Sequence, residues 1–279
     1  MKIGIIGHKG RLGSQLVQMG CEPLPIRIEK DMKPIDFPIE NSVIINCAAL
    51  TGVDRCQTDD EYYHEAIETN GFGVRYLAES YKGEIIHIST DYVFRGTRGA
   101  YKEIQFSETP DKDLPTNGMG YGITKLLGEY EAGAYDHVKI VRTTGLYGGR
   151  NGGDFLRTLL ENYELDIPSI PVTKELHGNQ TYIPHLADAL MCYAEMKDRP
   201  KILHIGSKEV ISRYEFALMI ASVFDLDKKR LKPCKNSEVP GWVAERPKKG
   251  GMKVDLAIKL GLPIYTILEG IEEAKRQFE

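Results

Sequence analysis

Tyr121 and Lys125 stand four residues apart, and Thr90 lies 31 positions before Tyr121 in the run Ser89-Thr90-Asp91-Tyr92-Val93-Phe94. On a helix, residues i and i+4 share a face, so the lysine ammonium can sit beside the phenol. A free phenol has a pKa of about 10, and a nearby cation favours the phenolate, bringing proton exchange closer to neutrality. Tyr121 then suits general acid or base work. Thr90 ends the apolar run Glu84-Ile85-Ile86-His87-Ile88, where a buried strand would deliver its hydroxyl to the rim of a sheet. A phenol, an ammonium and a hydroxyl around one carbonyl fit the reduction of a ketone or the reverse oxidation. Taken alone, Tyr-x-x-x-Lys is equally an ordinary exposed helix start.

The elements that must position these groups begin at the first residues. Lys2-Ile3-Gly4-Ile5-Ile6 reads as a buried strand running into Gly7-His8-Lys9-Gly10-Arg11-Leu12-Gly13 and the helical pattern Leu12, Leu16, Val17. Strand, glycine turn and helix are the context of a dinucleotide fingerprint. Gly7 allows the tight turn, Gly10 lets the backbone approach a pyrophosphate at the helix N-terminus, and Gly13 lets helix and strand pack closely. A second strand is expected to end about 20 residues on, at Arg27, whose guanidinium suits a ribose 2'-phosphate; this favours NADP(H) over NAD(H). Asp36-Phe37 is expected to close a third strand beside the adenine, leaving little room for a full helix before the strand Ser42 to Ala49. Small residues at Cys47-Ala48-Ala49 allow a ribose to approach the backbone. A long helix is expected over Tyr62 to Tyr81, with Ile67, Val74, Leu77 and Ala78 inward and Asn70 at its centre, and a further strand over Val138 to Thr144.

Past Tyr147 the composition changes to Gly148-Gly149-Arg150-Asn151-Gly152-Gly153, expected to be a mobile loop or hinge. The division placed here gives residues 1–147 as a nucleotide-binding unit and 148–279 as mainly a substrate unit, with a segment near 182–206 returning to the first. Helices are expected over 155–163, 184–196 and 213–224 and at the C-terminus, with a strand over 202–206 and a polar loop His177 to Tyr182.

Composition bounds the partners. Among 279 residues, 42% are hydrophobic, enough to bury a substantial core. The 36 Lys and Arg against 40 Asp and Glu give a net charge of -4 without a basic run, which argues against nucleic acid as a partner. The five cysteines are scattered and contain no Cys-x-x-Cys pair. Reduced thiols, no metal site and a cytoplasmic location are expected. No apolar run approaches the roughly 18 residues of a membrane span.

Together these motifs resemble the extended short-chain dehydrogenase/reductase superfamily and, within it, the dTDP-4-dehydrorhamnose reductase family. The residues that carry the resemblance are Gly7 to Gly13, Asn46 to Asp54, Asn70, Ser89 to Gly96, Tyr121 to Glu129, Arg142 to Tyr147, Gly178 to Thr181 and Arg246-Pro247. The resemblance implies a Rossmann-type doubly wound parallel sheet with a smaller C-terminal α/β substrate-binding domain. It also implies reduction of the 4-keto group of a nucleotide-linked deoxysugar by NADPH or NADH, with Thr90, Tyr121 and Lys125 as the catalytic triad. Lys9, Arg11, Leu12, Thr51, Asn70 and Ser89 join the implied cofactor site, and Asp91, Val93, Asn179, Gln180, Thr181 and Arg246 the implied nucleotide-sugar site. Members are often homodimers.

Three departures from the family pattern bear on substrate shape. Gly145 stands where the family usually carries Trp, Asp154-Phe155 where it has Asn-Phe, and the interval from Thr90 to Tyr121 is longer than usual. Alternatives are a sugar nucleotide epimerase holding NAD tightly, and a non-catalytic protein similar to the regulatory beta subunit of methionine adenosyltransferase. A 4,6-dehydratase is disfavoured, because Asp91 is followed by Tyr92 where that branch has an acidic pair.

Overall fold

Short apolar runs set the strands of the computed structural model, which describes residues 1–104, 108–149 and 153–277. β1 (Lys2–Ile6) leads through the glycine turn into α1 (Arg11–Gln18) and β2 (Glu22–Pro23), and β3 (Ser42–Asn46) comes after them. Next come α2 (Arg55–Thr58), α3 (Asp60–Ala66), a π-helical segment (Ile67–Phe72) and α4 (Gly73–Ser80). β4 (Glu84–Thr90), α5 (Gly120–Gly133) and β5 (Val138–Thr143) complete the first half. The second half holds α6 (Phe155–Glu164), β6 (Ile170–Thr173), β7 (His177–Gly178), α7 (Ile183–Glu195), β8 (Ile202–His204) and β9 (Ile211–Ser212). It ends with α8 (Arg213–Val223), β10 (Leu231–Cys234), α9 (Asp255–Lys259) and α10 (Ile267–Arg276).

Six strands form one parallel sheet in the order β2-β1-β3-β4-β5-β8. Parallel strands are buried on both faces, and here one face packs Ile3, Ile5, Val43 and Ile45 against α1 and α7, while the other packs Ile6, Ile44 and Ile85 against Val74 and Leu77 of α4. This is the doubly wound α/β fold that the resemblance implied. The strand order reverses between β1 and β3, so a crevice opens at their carboxyl ends, where such sheets bind ligands. α7 and β8 lie on this sheet, whereas α6, α8 and α10 enclose a separate core of Leu156, Phe216, Ile220 and Ile271 beside the parallel pair β6 and β10.

Two expectations fail where prolines interrupt the ladder. β2 stops at Pro23, and Arg27 stands exposed four residues beyond its end. Pro23 and Pro25 have no N–H to donate, which limits the strand to two residues. No strand forms at Asp36-Phe37 either, between Pro34 and Pro38. Asp36 is exposed, and Phe37 is buried in the core, its ring 6.2 Å from the Tyr81 ring. The long helix over 62–81 is continuous but changes to π geometry around Asn70. Of the glycine-rich stretch read as a hinge, residues 150–152 lie outside the described residues.

The long interval between Thr90 and Tyr121 clasps the segment 247–253. The Lys249 N–H donates to the Gly96 carbonyl at 2.8 Å, Tyr101 N–H to Gly251 at 3.1 Å, and Lys253 N–H to Tyr101 at 2.8 Å. Phe94 stacks on Tyr101 with ring centroids 4.2 Å apart.

Candidate active site

β4 ends at Thr90, whose Oγ1 accepts the Tyr92 N–H at 3.3 Å and so caps a 3-10 turn over Asp91–Val93. α5 opens at Gly120, which places Tyr121 in its first turn and Lys125 one turn further along the same face. These three residues share a cleft of about 420 Å³ with Gly10 to Gly13, Cys47, Ala49, Thr51 and Ser89 on one side and Thr144, Gly145, Gln180 and Arg213 on the other.

The electrostatics differ from the expectation that Lys125 lowers the phenol. Burial pushes the Tyr121 phenol up, Tyr92 and Asp91 add to the shift, and a hydrogen bond with the Thr90 hydroxyl opposes it. Lys125 is itself buried. Its Nζ donates to the Ile88 carbonyl at 2.8 Å and lies 3.2 Å from His87 Nε2. Burial lowers this amine to about 8, against the opposing charges of Glu129 and Cys47. Tyr121 therefore rests protonated, the state a general acid needs for reducing a ketone. Asp91 is pushed up to about 6 by burial, although Thr144, the Gly251 N–H and Thr90 donate to it. The Gly251 bond measures 3.3 Å.

On the turn after β1, Gly7 has φ +77°, and a Cβ there would lie 2.5 Å from Ala48 N. The N-cap of α1 is Gly10, without a side-chain cap, and no acid occupies the first turn. Uncapped N–H groups at a helix N-terminus suit an anion, so this end of the cleft fits a pyrophosphate. Arg11 and Leu12 line it, and Arg11 Nη1 donates to the Leu146 carbonyl at 3.1 Å. Lys9 is exposed at the tip of the turn and is not part of the lining.

Asn70 is fully buried and works behind the wall rather than in it. Its amide accepts the Leu50 N–H and donates to the Leu50 carbonyl, both at 2.8 Å, and Nδ2 lies 3.0 Å from Thr124 Oγ1. It pins the Cys47–Thr51 loop to α5. Ser89 lines the cleft, yet its Oγ donates to Glu129 at 2.5 Å. Glu129 in turn pairs with Arg142 in a buried ion pair whose side chains are 2% and 1% exposed. Ala48 packs against the core beneath.

Of the six residues assigned to the sugar nucleotide, Asp91 and Gln180 line the cleft. Asn179 does not: its Nδ2 donates to the Ser207 and Met252 carbonyls at 2.7 and 3.2 Å, and its Oδ1 accepts the Met252 N–H at 2.8 Å. Thr181 is turned onto the Asn179 carbonyl at 2.8 Å, and Val93 is buried with Phe94 and Tyr101. Arg246 borders a neighbouring cleft of about 690 Å³. There it is already paired, Nη1 and Nη2 meeting Asp54 at 2.8 and 2.5 Å, with the guanidinium 4.2 Å from the Trp242 ring centre.

Two of the departures from the family pattern have visible reasons. Gly145 has φ +60°, and a Cβ there would lie 2.8 Å from Gln180 Oε1, so this wall is formed by backbone. Asp154 caps α6, accepting from the Arg157 and Gly148 N–H groups at 3.2 and 2.9 Å, a task Asp performs as well as Asn. Sequence reasoning missed Arg213. It opens α8, stands 4.6 Å from the Phe155 ring centre and keeps a buried Nε with no hydrogen-bond partner. The capping box Ser212 to Glu215 was the available signal, because it marks a helix start at the cleft. Among the described residues no cluster of His, Cys, Asp or Glu could hold a metal ion, and no helix is long and apolar enough to cross a membrane.

A family model described as the RmlD substrate binding domain matches residues 1–277. The dTDP-4-dehydrorhamnose reductase of Mycobacterium tuberculosis is 31% identical over 202 residues, covering 71% of this chain. The match spans 64% of that relative's length. Among solved structures, a dTDP-4-dehydrorhamnose reductase from Clostridium acetobutylicum is 29% identical with a TM-score of 0.83, covering 100% of this chain and 99% of that one. The Bacillus anthracis dTDP-4-dehydrorhamnose reductase, solved in complex with NADP, is 26% identical with a TM-score of 0.81, covering 99% of this chain and 100% of that one.

Proposed function

The chain belongs to the family of the RmlD substrate binding domain, and from that premise we propose that it is an NADPH-dependent reductase of the 4-keto group of a nucleotide-linked deoxysugar. The observation that carries this reading is the meeting of Thr90, Tyr121 and Lys125 in the same cleft as the uncapped N-terminus of α1. NADPH, when bound, supplies the hydride. The N–H groups of Gly10 to Leu12 would bind the pyrophosphate, the Cys47–Thr51 loop would contact the riboses, and Lys125 would hold the nicotinamide ribose. Tyr121 gives its proton to the carbonyl oxygen while the Thr90 hydroxyl donates a hydrogen bond to that oxygen. Arg213, a cation facing the cleft with a donor to spare, suits the substrate diphosphate better than Arg246, which Asp54 already occupies.

The same reading takes residues 1–147 as the nucleotide-binding domain and 148–279 as mainly the substrate domain, in a cytoplasmic homodimer; the five cysteines stand as free thiols. Light scattering at twice the 31.4 kDa chain mass would support the dimer.

NADPH and NADH oxidation by the purified protein tests the activity, using dTDP-4-keto-6-deoxyglucose with and without a 3,5-epimerase. Turnover only with the epimerised sugar supports the rhamnose-type reductase. Absence of turnover with NADPH binding intact overturns this substrate, and tightly held NAD with no net oxidation indicates an epimerase. Arg27 enters as the 2'-phosphate partner: Arg27→Ala should weaken NADPH about 10- to 100-fold and leave NADH unchanged.

A further inference from the structure

Three pieces of chain far apart in sequence meet at the start of α5: the turn at Asp54, residues 116–119 leading into the helix, and the segment 242–246, which has no helix or strand of its own. The Asp54 carboxylate, which does not line the cleft, joins the first piece to the last. Its Oδ1 accepts the Val243 and Ala244 N–H groups at 2.7 and 3.0 Å, and the Arg246 guanidinium closes on both oxygens. Burial works against this charge, yet Arg246 and the two N–H groups outweigh it and hold the carboxyl down at about 2. Glu245 brings in the remaining piece. Its N–H donates to the Gly118 carbonyl at 2.8 Å, and its carboxylate accepts the Thr116 hydroxyl at 2.5 Å.

What these bonds hold is the first turn of α5. Its N-cap, Met119, supplies no side-chain cap, and a helix start without one is prone to fray. Tyr121 sits in that turn. Lys125, one turn further, is held separately by the Ile88 carbonyl. The clasped residues run by hydrogen bonds into the helix: the Thr116 carbonyl accepts the Met119 N–H at 2.8 Å, and the Met119 carbonyl accepts that of Ile123 at 3.1 Å. Asp54 reaches the same place by a second route. Its own carbonyl accepts the Gln57 and Thr58 N–H groups of α2 at 2.9 and 3.1 Å, and the Cys56 carbonyl lies so close to Gly120 that a Cβ there would come within 2.6 Å. We propose that Asp54 is a positioning residue for Tyr121: its carboxylate fixes segment 242–246, which clamps residues 116–118 and takes the place of a cap on the turn that carries the phenol.

The consequence for turnover rests on the proposed reductase activity, whereas the clamp does not, so both are measured on the whole protein. In ligand-free Asp54→Ala, hydrogen exchange at the Ile123 amide should quicken about tenfold or more, while amides in the last turn of α5 keep their rates. Trp242, the only tryptophan of the chain, has the Arg246 guanidinium 4.2 Å from its ring centre. Its emission should shift to the red and acrylamide should quench it more strongly. With the keto sugar, kcat should fall about 10- to 100-fold, and NADPH affinity should stay within about twofold because the glycine turn and Lys125 are untouched. Asp54→Asn keeps an oxygen for the two N–H groups and should fall between Asp54→Ala and wild type. A damaged fold would slow the enzyme with or without the phenol, and a misplaced phenol would not. In a Tyr121→Phe background, Asp54→Ala should therefore lower kcat by less than about twofold. Unchanged exchange at Ile123, or an equal loss of kcat in both backgrounds, overturns the proposal. If Asp54→Ala does not fold, Asp54→Asn and Thr116→Val, which each weaken one link, are read in the same way. Faster exchange in a protein whose wild type reduces no keto sugar would sink the activity and leave the clamp standing.

Discussion

Replacing Asp91 by Asn should change how stability depends on pH. The carboxyl is 2% exposed, and burial raises it from 3.8 to about 6. A folded-state pKa above the unfolded one favours the native state when the group is protonated, and that advantage is lost as pH rises through the folded value. Between pH 4.5 and pH 7.5, ionisation stabilises the unfolded chain by about 4 kcal/mol and the native state by about 2 kcal/mol. Wild type should therefore lose about 2 kcal/mol over that interval that Asp91→Asn does not lose. Asn also keeps an oxygen for the Gly251 N–H, so the variant should fold. Urea denaturation of both proteins at the two pH values measures the difference of differences, in which other titrating groups cancel. Parallel changes in the two proteins would refute the burial argument.

Tyr121→Phe should lower kcat about 10²- to 10⁴-fold with NADPH affinity within about twofold, measured by steady-state rates and fluorescence titration; an unchanged rate would remove Tyr121 from the chemistry. Arg142→Met leaves Glu129 as a buried charge held by Ser89 Oγ. It should cost about 3–5 kcal/mol and lower Tm by roughly 10 °C in calorimetry, and a fall of under about 3 °C would show that the pair contributes little. Arg213→Gln should raise KM for the nucleotide sugar about tenfold with kcat and NADPH affinity nearly unchanged; an unaltered KM would place the diphosphate elsewhere.

The parts of this molecule legible in its sequence are those governed by near neighbours. β1, β3, β4 and β5 are apolar runs long enough to show themselves, and the glycine turn and the Tyr121–Lys125 spacing are local geometry. The strands expected to end at Arg27 and Asp36-Phe37 do not form, because counting along a standard unit assumes ladders that Pro23, Pro25, Pro34 and Pro38 deny. Asn179, Thr181 and Val93 misled differently: polarity and position within a motif do not reveal which way a side chain turns. Asn179 turns to Met252, 73 positions away. The protonation of the site was equally hidden. Asp91 and Tyr121 are shifted chiefly by burial, and for Asp91 a hydrogen bond from Gly251, 160 positions away, opposes that shift.

The π-helical turn around Asn70 governs what kinds of change this stretch of chain can absorb. A plain α-helix would take one residue fewer over the same span, and each residue removed turns the rest of the helix by about 100°. Asn70 would swing off both Leu50 groups and off Thr124. Close contact also leaves no slack on the facing helix, where a Cβ on Gly128 would strike the Asn70 carbonyl. Evolution or a protein engineer can therefore exchange exposed side chains here freely. A deletion that tidied the helix would sever the tie between the Cys47–Thr51 loop and α5, giving a more regular protein with a looser cleft.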